Sequence, residues 1–353
     1  MYEYQKKEIK KMCEISRHLS KYCKIAFITS NKDKTHNTSD YSSFSVKSEF
    51  YSNDVHSKIV NAFKNIGFSV IEFFNEEDFI QYALKITKKQ RECLIVINSA
   101  QKGTHIGRKS LIPAFCELYS IKYVGSNPYV VSLCRDKYKC GNILNQNGIP
   151  TPNAWLYNKN GWINGCPNDI PYKLILKPNY ESSSIGVDNK CIDYYGQTFD
   201  QKVKEYSLLF NQDIIVEEFV AGYEVEIPII CTQDPLVFFP VGIEKNGEKC
   251  LGEQILDYKT RSENNYDFYD FSAYRPVLAQ KLVDIAKKTV KLLDISGFGR
   301  IDFRIKENGD YFVTDISTNP HYTEQSSFFV PFKNLDMSYE DMINSLIASV
   351  DVR

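Results

Sequence analysis

Short apolar runs bounded by polar residues alternate, over the first third of the chain, with stretches whose apolar positions recur every three or four residues. CKIAFITS (23–30), FSVIEF (68–73), CLIVINSA (93–100) and KYVGS (122–126) have the length and bounding residues of buried strands. Between them, NDVHSKIVNAFKNIG (53–67) places Val55, Ile59, Ala62, Phe63 and Ile66 on one helical face and stops at Gly67. NEEDFIQYALKI (75–86) and KSLIPAFCELYSI (109–121) read as further helices. Strand and helix in alternation predict an α/β unit with a parallel sheet, ending near Ser126. Residues 31–52, rich in Ser, Asn, Asp, Lys and Tyr, predict one long loop. At the start of the chain, Ile9, Met12, Cys13, Ile15 and Leu19 form a helical stripe, so residues 1–21 are expected to be an amphipathic helix packed on the body.

Beyond Ser126 the pattern changes. CRDKYKCGNILNQNGIPTPNAWLY (134–157) predicts a helix stopped by Gly148, with Pro150 and Pro152 after it. YKLILKP (172–178) and DIIVEEFV (213–220) read as strands on either side of a serine-rich loop. YEVEIPIICT (223–232), LVFFPVGI (236–243) and GRIDFRI (299–305) read as apolar strands, with the amphipathic helix RPVLAQKLVDIAKKTVKLLDIS (275–296) before the last. DYFVTDISTNP (310–320) closes the set, and ENGD (307–310) would join it to GRIDFRI as a hairpin.

The chain has 353 residues, 43% of them hydrophobic, enough for two or three domains with real cores. Lys plus Arg number 43 and Asp plus Glu 44. That balance argues against nucleic acid or an anionic membrane as partner. Ten cysteines stand apart with no C-x-x-C spacing, which suits free thiols in a reducing compartment better than a zinc site. Charges interrupt every apolar stretch of the N-terminus, and no run is long enough to span a bilayer. A soluble, cytoplasmic protein is expected.

Four features carry chemistry. Lys137 lies in CRDKYKC, and Lys177 ends the strand LILKP. Next comes E181-S-S-S-I-G186, whose small residues and hydroxyls would let backbone N–H groups approach phosphate oxygens. The fourth is acidic: Asp302 in GRIDFRI, with Asp315 and Ser317 in VTDIST. Strand alternation places 315 and 317 on one face, and a hairpin would bring Asp302 beside Asp315. Two such carboxylates need a cation between them, either Mg²⁺ or a neighbouring Arg300 or Arg304.

Taken in order, the two lysines, the serine loop, IIVEEFVAGYEVEI (214–227), GRIDF and DISTNP resemble the ATP-grasp enzymes. The D-alanine–D-alanine ligase branch is the most similar, from about Tyr123 to Phe328. The resemblance implies three α/β domains with ATP between the central and C-terminal sheets. Their expected bounds are 22–126, 127–220 and 221–353, after the helical extension at 1–21. Lys137 and Lys177 would contact the ATP phosphates, and Glu181, Ser183, Ser184 and Gly186 would belong to the loop over them. Glu217 would accept from the adenine amino group, backbone atoms of Glu218, Phe219 and Val220 would complete the hinge, and Glu224 would hold the ribose. Asp302, Asp315 and Ser317 would bind Mg²⁺ or Mn²⁺. Arg300 and Ser184 would act at the reacting centre, with Arg261 in DYKTR (257–261) on a closing loop. The implied reaction is ligation of a small carboxylate to an amine through an acyl phosphate, in a site that must exclude water. The family's common dimer, formed through its first domain, makes a homodimer the assembly to test.

Departures from the family pattern are specific. Asp315 and Ser317 stand where the family has a Glu-x-Asn pair, Ser182 where its loop has glycine, and His321 where glycine follows the last proline. His321 reads equally as a substrate contact or base and as a histidine packed at a strand end. SNKDKTHNTSDYSSFSVKSEF (30–50) and NSAQKGTHIGRKS (98–110) lack the family's motifs for the first substrate, although Glu49 and His105 occupy comparable regions. A substrate other than D-alanine is therefore expected. The alternatives are a nucleotide-binding protein without the chemistry and a divergent D-alanine–D-alanine ligase. Arg108 and Lys109 either meet an anionic group on the substrate or form a solvated helix start.

Overall fold

β1 (Lys24–Thr29) is buried from Ile25 onward, as a strand covered on both faces must be. In the computed structural model, which describes residues 2–35, 41, 44–231, 234–263 and 265–352, it lies inside a four-stranded parallel sheet. β2 (Ser69–Phe73), β3 (Leu94–Ser99) and β4 (Lys122–Val124) complete the order β2-β1-β3-β4. Around it run α1 (Tyr2–Leu19), α2 (Asn53–Ile66), α3 (Glu76–Lys85), α4 (Lys88–Glu92) and α5 (Leu111–Leu118). α2 is capped by the Ser52 hydroxyl and ends at Gly67 in the left-handed region (φ 111°), as its sequence predicts. One face of the sheet packs on α3 and α5 through Phe79, Ile112 and Cys116. The other packs on α1 and α2, and the same core takes in residues from the far end of the chain.

α6 (Pro128–Arg135) and α7 (Lys137–Gln146) are two helices, where the sequence suggested one. Asp136 divides them, with φ −84° and ψ 90°, and its carboxylate caps α7 by accepting from the Lys139 amide at 3.1 Å. β5 (Ala154–Asn158), β6 (Gly161–Trp162), β7 (Leu174–Pro178), β8 (Ile192–Asp193) and β9 (Ile214–Glu218) form an antiparallel sheet of order β6-β5-β9-β7-β8. α8 (Gln197–Phe210) covers one face, where Leu174, Leu176, Ile214 and Val216 meet Phe199 and Val203. Alternation sends Lys177 and Glu217 to the opposite face.

The third sheet is also antiparallel. It is built from β10 (Tyr223–Ile230), β11 (Leu236–Val237), β12 (Val241–Glu244), β13 (Asp267–Asp270), β14 (Phe298–Ile305) and β15 (Tyr311–Ser317), in the order β13-β12-β10-β14-β15 with β11 beside β10. LVFFPVGI is thus two short strands. α9 (Tyr258–Glu263) and α10 (Phe271–Tyr274) flank β13, and α11 (Pro276–Leu293) covers one face. There Val225, Ile227, Ile229, Ile301 and Phe303 pack against Leu282, Val283, Ala286 and Val290. α12 (Val330–Asn334) and α13 (Tyr339–Ala348) return to the first sheet, where α13 packs on α1 and α2.

A β-bulge sets the last strand. Asp302 pairs with Asp315 and Phe303 with Val313, so Thr314 is the extra residue. Without it, Val313 and Asp315 would share a face. With it, Val313 enters the α11 core while Asp315 joins Ser317 on the open side.

The expected long loop at 31–52 holds a 3₁₀ turn, Val46–Glu49, while residues 36–40 and 42–43 lie outside the described residues. Among the described residues, no disulfide joins the cysteines. Among the described residues, no helix is long and apolar enough to cross a membrane.

Candidate active site

The open faces of the second and third sheets enclose a cleft of about 300 Å³. From the second sheet come Lys177 and Glu217, which form an ion pair across neighbouring strands. Lys137, the first residue of α7, enters from the side. Buried Asn179 fixes its position: the Asn179 side chain donates to Asp136 at 2.8 Å and accepts from the Tyr138 amide at 3.0 Å. Lys137 Nζ donates to the Glu181 carbonyl at 2.7 Å and lies 3.2 Å from Asp315. Residues 40 apart in sequence, 137 and 177, therefore present their ammonium groups to one cavity.

The serine loop folds over this cavity. Ser183 and Ser184 both have positive φ, 53° and 55°, a conformation that costs a non-glycine residue about 1–3 kcal/mol. Contacts around the loop hold it there. Ser184 Oγ donates to the Leu256 carbonyl at 2.6 Å. Ile185 is buried among Val46, Phe50 and Phe210, joining the loop to the N-terminal segment. Gly186 has φ 78°, and a Cβ there would lie 2.6 Å from both Phe210 and Pro178. Glu181 departs from expectation. Its carboxylate is buried and already engaged, accepting two 2.9 Å hydrogen bonds from Arg108 and one of 2.8 Å from Tyr41.

The hinge also differs from expectation. The Phe219 amide donates to the Lys173 carbonyl and the Glu218 amide to the Asn153 carbonyl, each at 2.9 Å. The Val220 carbonyl accepts from Arg304 Nε at 2.9 Å. The Glu218 and Phe219 amides are therefore taken, while the Val220 carbonyl keeps a second lone pair. Arg304 also reaches Glu224 at 3.1 Å, which places Glu224 at the cleft edge.

The opposite wall is a charged ladder on β10, β14 and β15. Arg300 grips Asp302 and also meets Glu226 at 3.0 Å. Arg261, on α9, lies 3.6 Å from Glu224 and 3.4 Å from Glu226. Burial pushes the Asp302 carboxyl up to about 7; Arg300 opposes this, and Glu226 and Asp315 add to it. Glu226 is held below the usual range: burial opposes this, and Arg300 and Arg261 outweigh the burial. Asp302 and Asp315 are thus register partners in a crowd of carboxylates, a donor set that fits a hard divalent cation shared with phosphate oxygens. Ser317 opposes Arg300 and could add a hydroxyl. Among the described residues, no group of three or more carboxylate, His or Cys side chains is placed to hold a metal unaided.

At the far end of the cleft stand His321, Glu49 and Lys109. His321 Nε2 lies 3.3 Å from the Glu49 carbonyl, and burial holds its pKa down at about 4, with Lys109 adding to the effect. The ring is therefore neutral at pH 7 and donates to that carbonyl. Arg108 is buried and ion-paired, which rules out a solvated helix start.

Glu226 and Arg135 are site residues that the sequence reading does not name, and Glu49 enters it only as lying in a region comparable to the family's first-substrate motif. Glu226 was legible: two glutamates at alternate positions of the apolar run YEVEIPII share the face that α11 does not cover. Arg135 carries no local signal, and Glu49 carries only its place in the region comparable to the family's first-substrate motif.

The family model described as D-ala D-ala ligase C-terminus matches residues 143–348. The D-alanine–D-alanine ligase of Acetivibrio thermocellus is 27% identical over 253 residues, covering 68% of this chain and 64% of that protein. That of Carboxydothermus hydrogenoformans is 28% identical over 249 residues, 68% of this chain and 77% of that protein. The alignment thus spans under two thirds of the first relative and more of the second. Among solved structures, the D-alanine–D-alanine ligase from Bacillus anthracis complexed with ATP superposes with TM-score 0.68 at 18% identity, covering 93% of this chain and 97% of that one. The VanG D-Ala:D-Ser ligase from Enterococcus faecalis gives 0.65 at 18%, covering 93% and 99%. With the fold likeness extending over nearly the whole chain and the family model over more than half of it, this protein has the ATP-grasp fold and belongs to the D-Ala–D-Ala ligase C-terminal family.

Proposed function

We propose that the protein is an ATP-dependent ligase that joins a small carboxylate to an amine, with release of ADP and phosphate. The supporting observation is the convergence of Lys137, Lys177 and the serine loop on one side of a single cleft with Arg300, Asp302 and Asp315 on the other. Cations and backbone donors on one wall suit the phosphates of a nucleotide, and paired carboxylates on the facing wall suit its metal. Bound there, Mg²⁺ would screen the charge gathered on the transferring phosphoryl group.

The chain's own groups supply the rest. Lys137 and Lys177 neutralise the nucleotide phosphates, and each must loosen its present carboxylate partner to do so. The serine loop shields the transfer from water. The substrate carboxylate oxygen attacks the γ-phosphorus, the bond to the β–γ bridging oxygen breaks, and ADP leaves. The amine then attacks the acyl carbon, inorganic phosphate departs and the amine sheds its proton. Arg300, through the N–H groups that Asp302 and Glu226 leave open, would stabilise the oxyanion of that second step. The first substrate is proposed to be other than D-alanine.

The test is ADP and phosphate release with ATP and Mg²⁺ over D- and L-amino acids, singly and in pairs, with product masses recorded. Release tied to a condensed mass confirms a ligase. ATP binding without release across the panel would favour a nucleotide-binding role and overturn this reading.

A further inference from the structure

The substrate end of the cleft holds a cation cluster that the nucleotide chemistry does not use. Glu49 is buried at the end of the 3₁₀ turn. One of its oxygens accepts from Arg108 at 3.3 Å and from Arg135 at 3.4 Å, and the other from Lys109 at 3.0 Å. Beside it, Glu181 accepts twice from Arg108, and also from Tyr41 and from Gln212 at 3.0 Å. Glu49 thus takes bonds from three cations and Glu181 takes four bonds, so neither carboxylate lacks a positive partner. Burial would raise the Glu49 carboxyl, but Lys109 and Arg108 outweigh it and hold it at about 2, so it stays ionised. Three cations, Arg108, Lys109 and Arg135, face two carboxylates, leaving one positive charge in excess. Neutral His321 offsets none of it.

That excess borders empty space. A cavity of about 30 Å³, lined by Lys109, Arg135, Ser182 and Ser317 and by Lys137 with its ion-pair partner Asp315, adjoins the main cleft. It has room for one or two water-sized groups, roughly the size of a carboxylate. Arg135 donates to Ser182 Oγ at 3.0 Å, but its Nε–H is buried with no hydrogen-bond partner among the described residues. Lys109 has one partner, Glu49, among the described residues, and an ammonium has three protons to give. An incoming ammonium would find Glu49 already shared among three cations and Lys109 repelling it. An incoming anion would meet open donors and the unbalanced charge.

Building on the proposed ligase reading, we infer that this end of the cleft selects a substrate with an anionic group besides the carboxylate that is activated, a dicarboxylate such as an acidic amino acid, and that Lys109 is the residue that anchors that group. Arg135 and Ser182 form the wall behind it. Specificity follows from the chemistry: an amide isostere of the same shape would leave the excess charge buried and unanswered.

The test is calorimetric binding to the full chain, loaded with Mg²⁺ and a non-hydrolysable ATP analogue. The ligands are D- and L-glutamate against glutamine, D- and L-aspartate against asparagine, and unsubstituted dicarboxylates of four to six carbons. At least one acidic ligand is expected to bind ten-fold or more tighter than its amide. Lys109→Met should remove that preference and Lys109→Arg should keep it, with melting temperatures confirming that both fold. Amides binding as tightly as acids, no acidic ligand binding at all, or a full preference surviving in Lys109→Met would each overturn the inference. If Lys109→Met fails to fold, the acid-to-amide ratio of the unaltered protein decides alone. Because the analogue cannot react, this readout stands apart from turnover: absence of ADP release would sink the ligase reading and leave the anion preference measurable.

Discussion

Arg300 and Asp302, two residues apart on one strand, are joined by parallel hydrogen bonds of 2.7 Å from Nε and Nη2 to the two carboxylate oxygens. The pair occupies the place where sequence allowed either a metal or an arginine as partner of the aspartate. Arg300 is the partner this structure holds: its guanidinium balances Asp302. Under the proposed function, the facing Asp315 would supply a second carboxylate for a cation bound with nucleotide. Asp302→Asn keeps the shape and removes the charge. Turnover should fall by on the order of 10²–10³ or more, with the melting temperature little changed. Activity near that of the unaltered protein would remove Asp302 from the mechanism.

Glu226 holds two arginines at once. Its carboxylate is buried between Arg300 and Arg261 and also accepts from the Ser327 hydroxyl. Removing one partner of a buried ionic cluster leaves uncompensated charge, which costs about 3–5 kcal/mol. Glu226→Ala should therefore lower the urea midpoint markedly. Glu226→Gln, which preserves shape and hydrogen bonding, should be milder in stability and should still reduce kcat, because Arg300 loses one of its two anchors. A Glu226→Ala variant as stable as the parent would contradict this.

The serine loop is held in place by its last residue. Gly186→Ala adds a Cβ against Phe210 and Pro178 at a left-handed φ. Strain of about 1–3 kcal/mol is expected. It should appear as a weakened nucleotide affinity, roughly ten-fold or more, since the loop must sit over the phosphates. Titration with an ATP analogue measures it, and an unchanged Kd would show that the loop does not cover the nucleotide.

Stability should fall with acid in two windows. His321 is held neutral with its pKa near 4 in the folded protein, against about 6.5 when unfolded, so the unfolded chain binds the extra proton first. That contribution is complete above about pH 6.5 and is lost as pH drops toward 4. Glu49 has a folded pKa near 2, against about 4.5 unfolded, so its contribution is present above 4.5 and is lost between there and 2. His321→Gln should flatten the upper window of a urea-midpoint profile, and Glu49→Gln the lower. A profile unaffected by either substitution would refute the assignment.

Much of this molecule was legible along the chain. Period-two and period-3.6 apolar patterns marked the strands and most helices, because burial of one face is a local property of spacing. Gly67 and Gly186 announced backbone conformations that a side chain resists. Lys137, Lys177, Asp302 and Asp315 stood out because charged residues interrupt or end apolar runs only where something charged is met. Four things depended on tertiary structure. The bulge at Thr314 reverses strand parity, and it follows from pairing with β14. Glu181, expected near phosphate, turns toward Arg108, a residue 73 positions away. The hinge amides are taken by Lys173 and Asn153. The Glu49, Lys109 and Arg135 cluster gathers from three separate elements, and its excess charge exists only once they meet. Sequence determines what each short segment can bury. Coulombic balance is a sum over neighbours, and which residues become neighbours is settled by the packing of the sheets and helices as a whole.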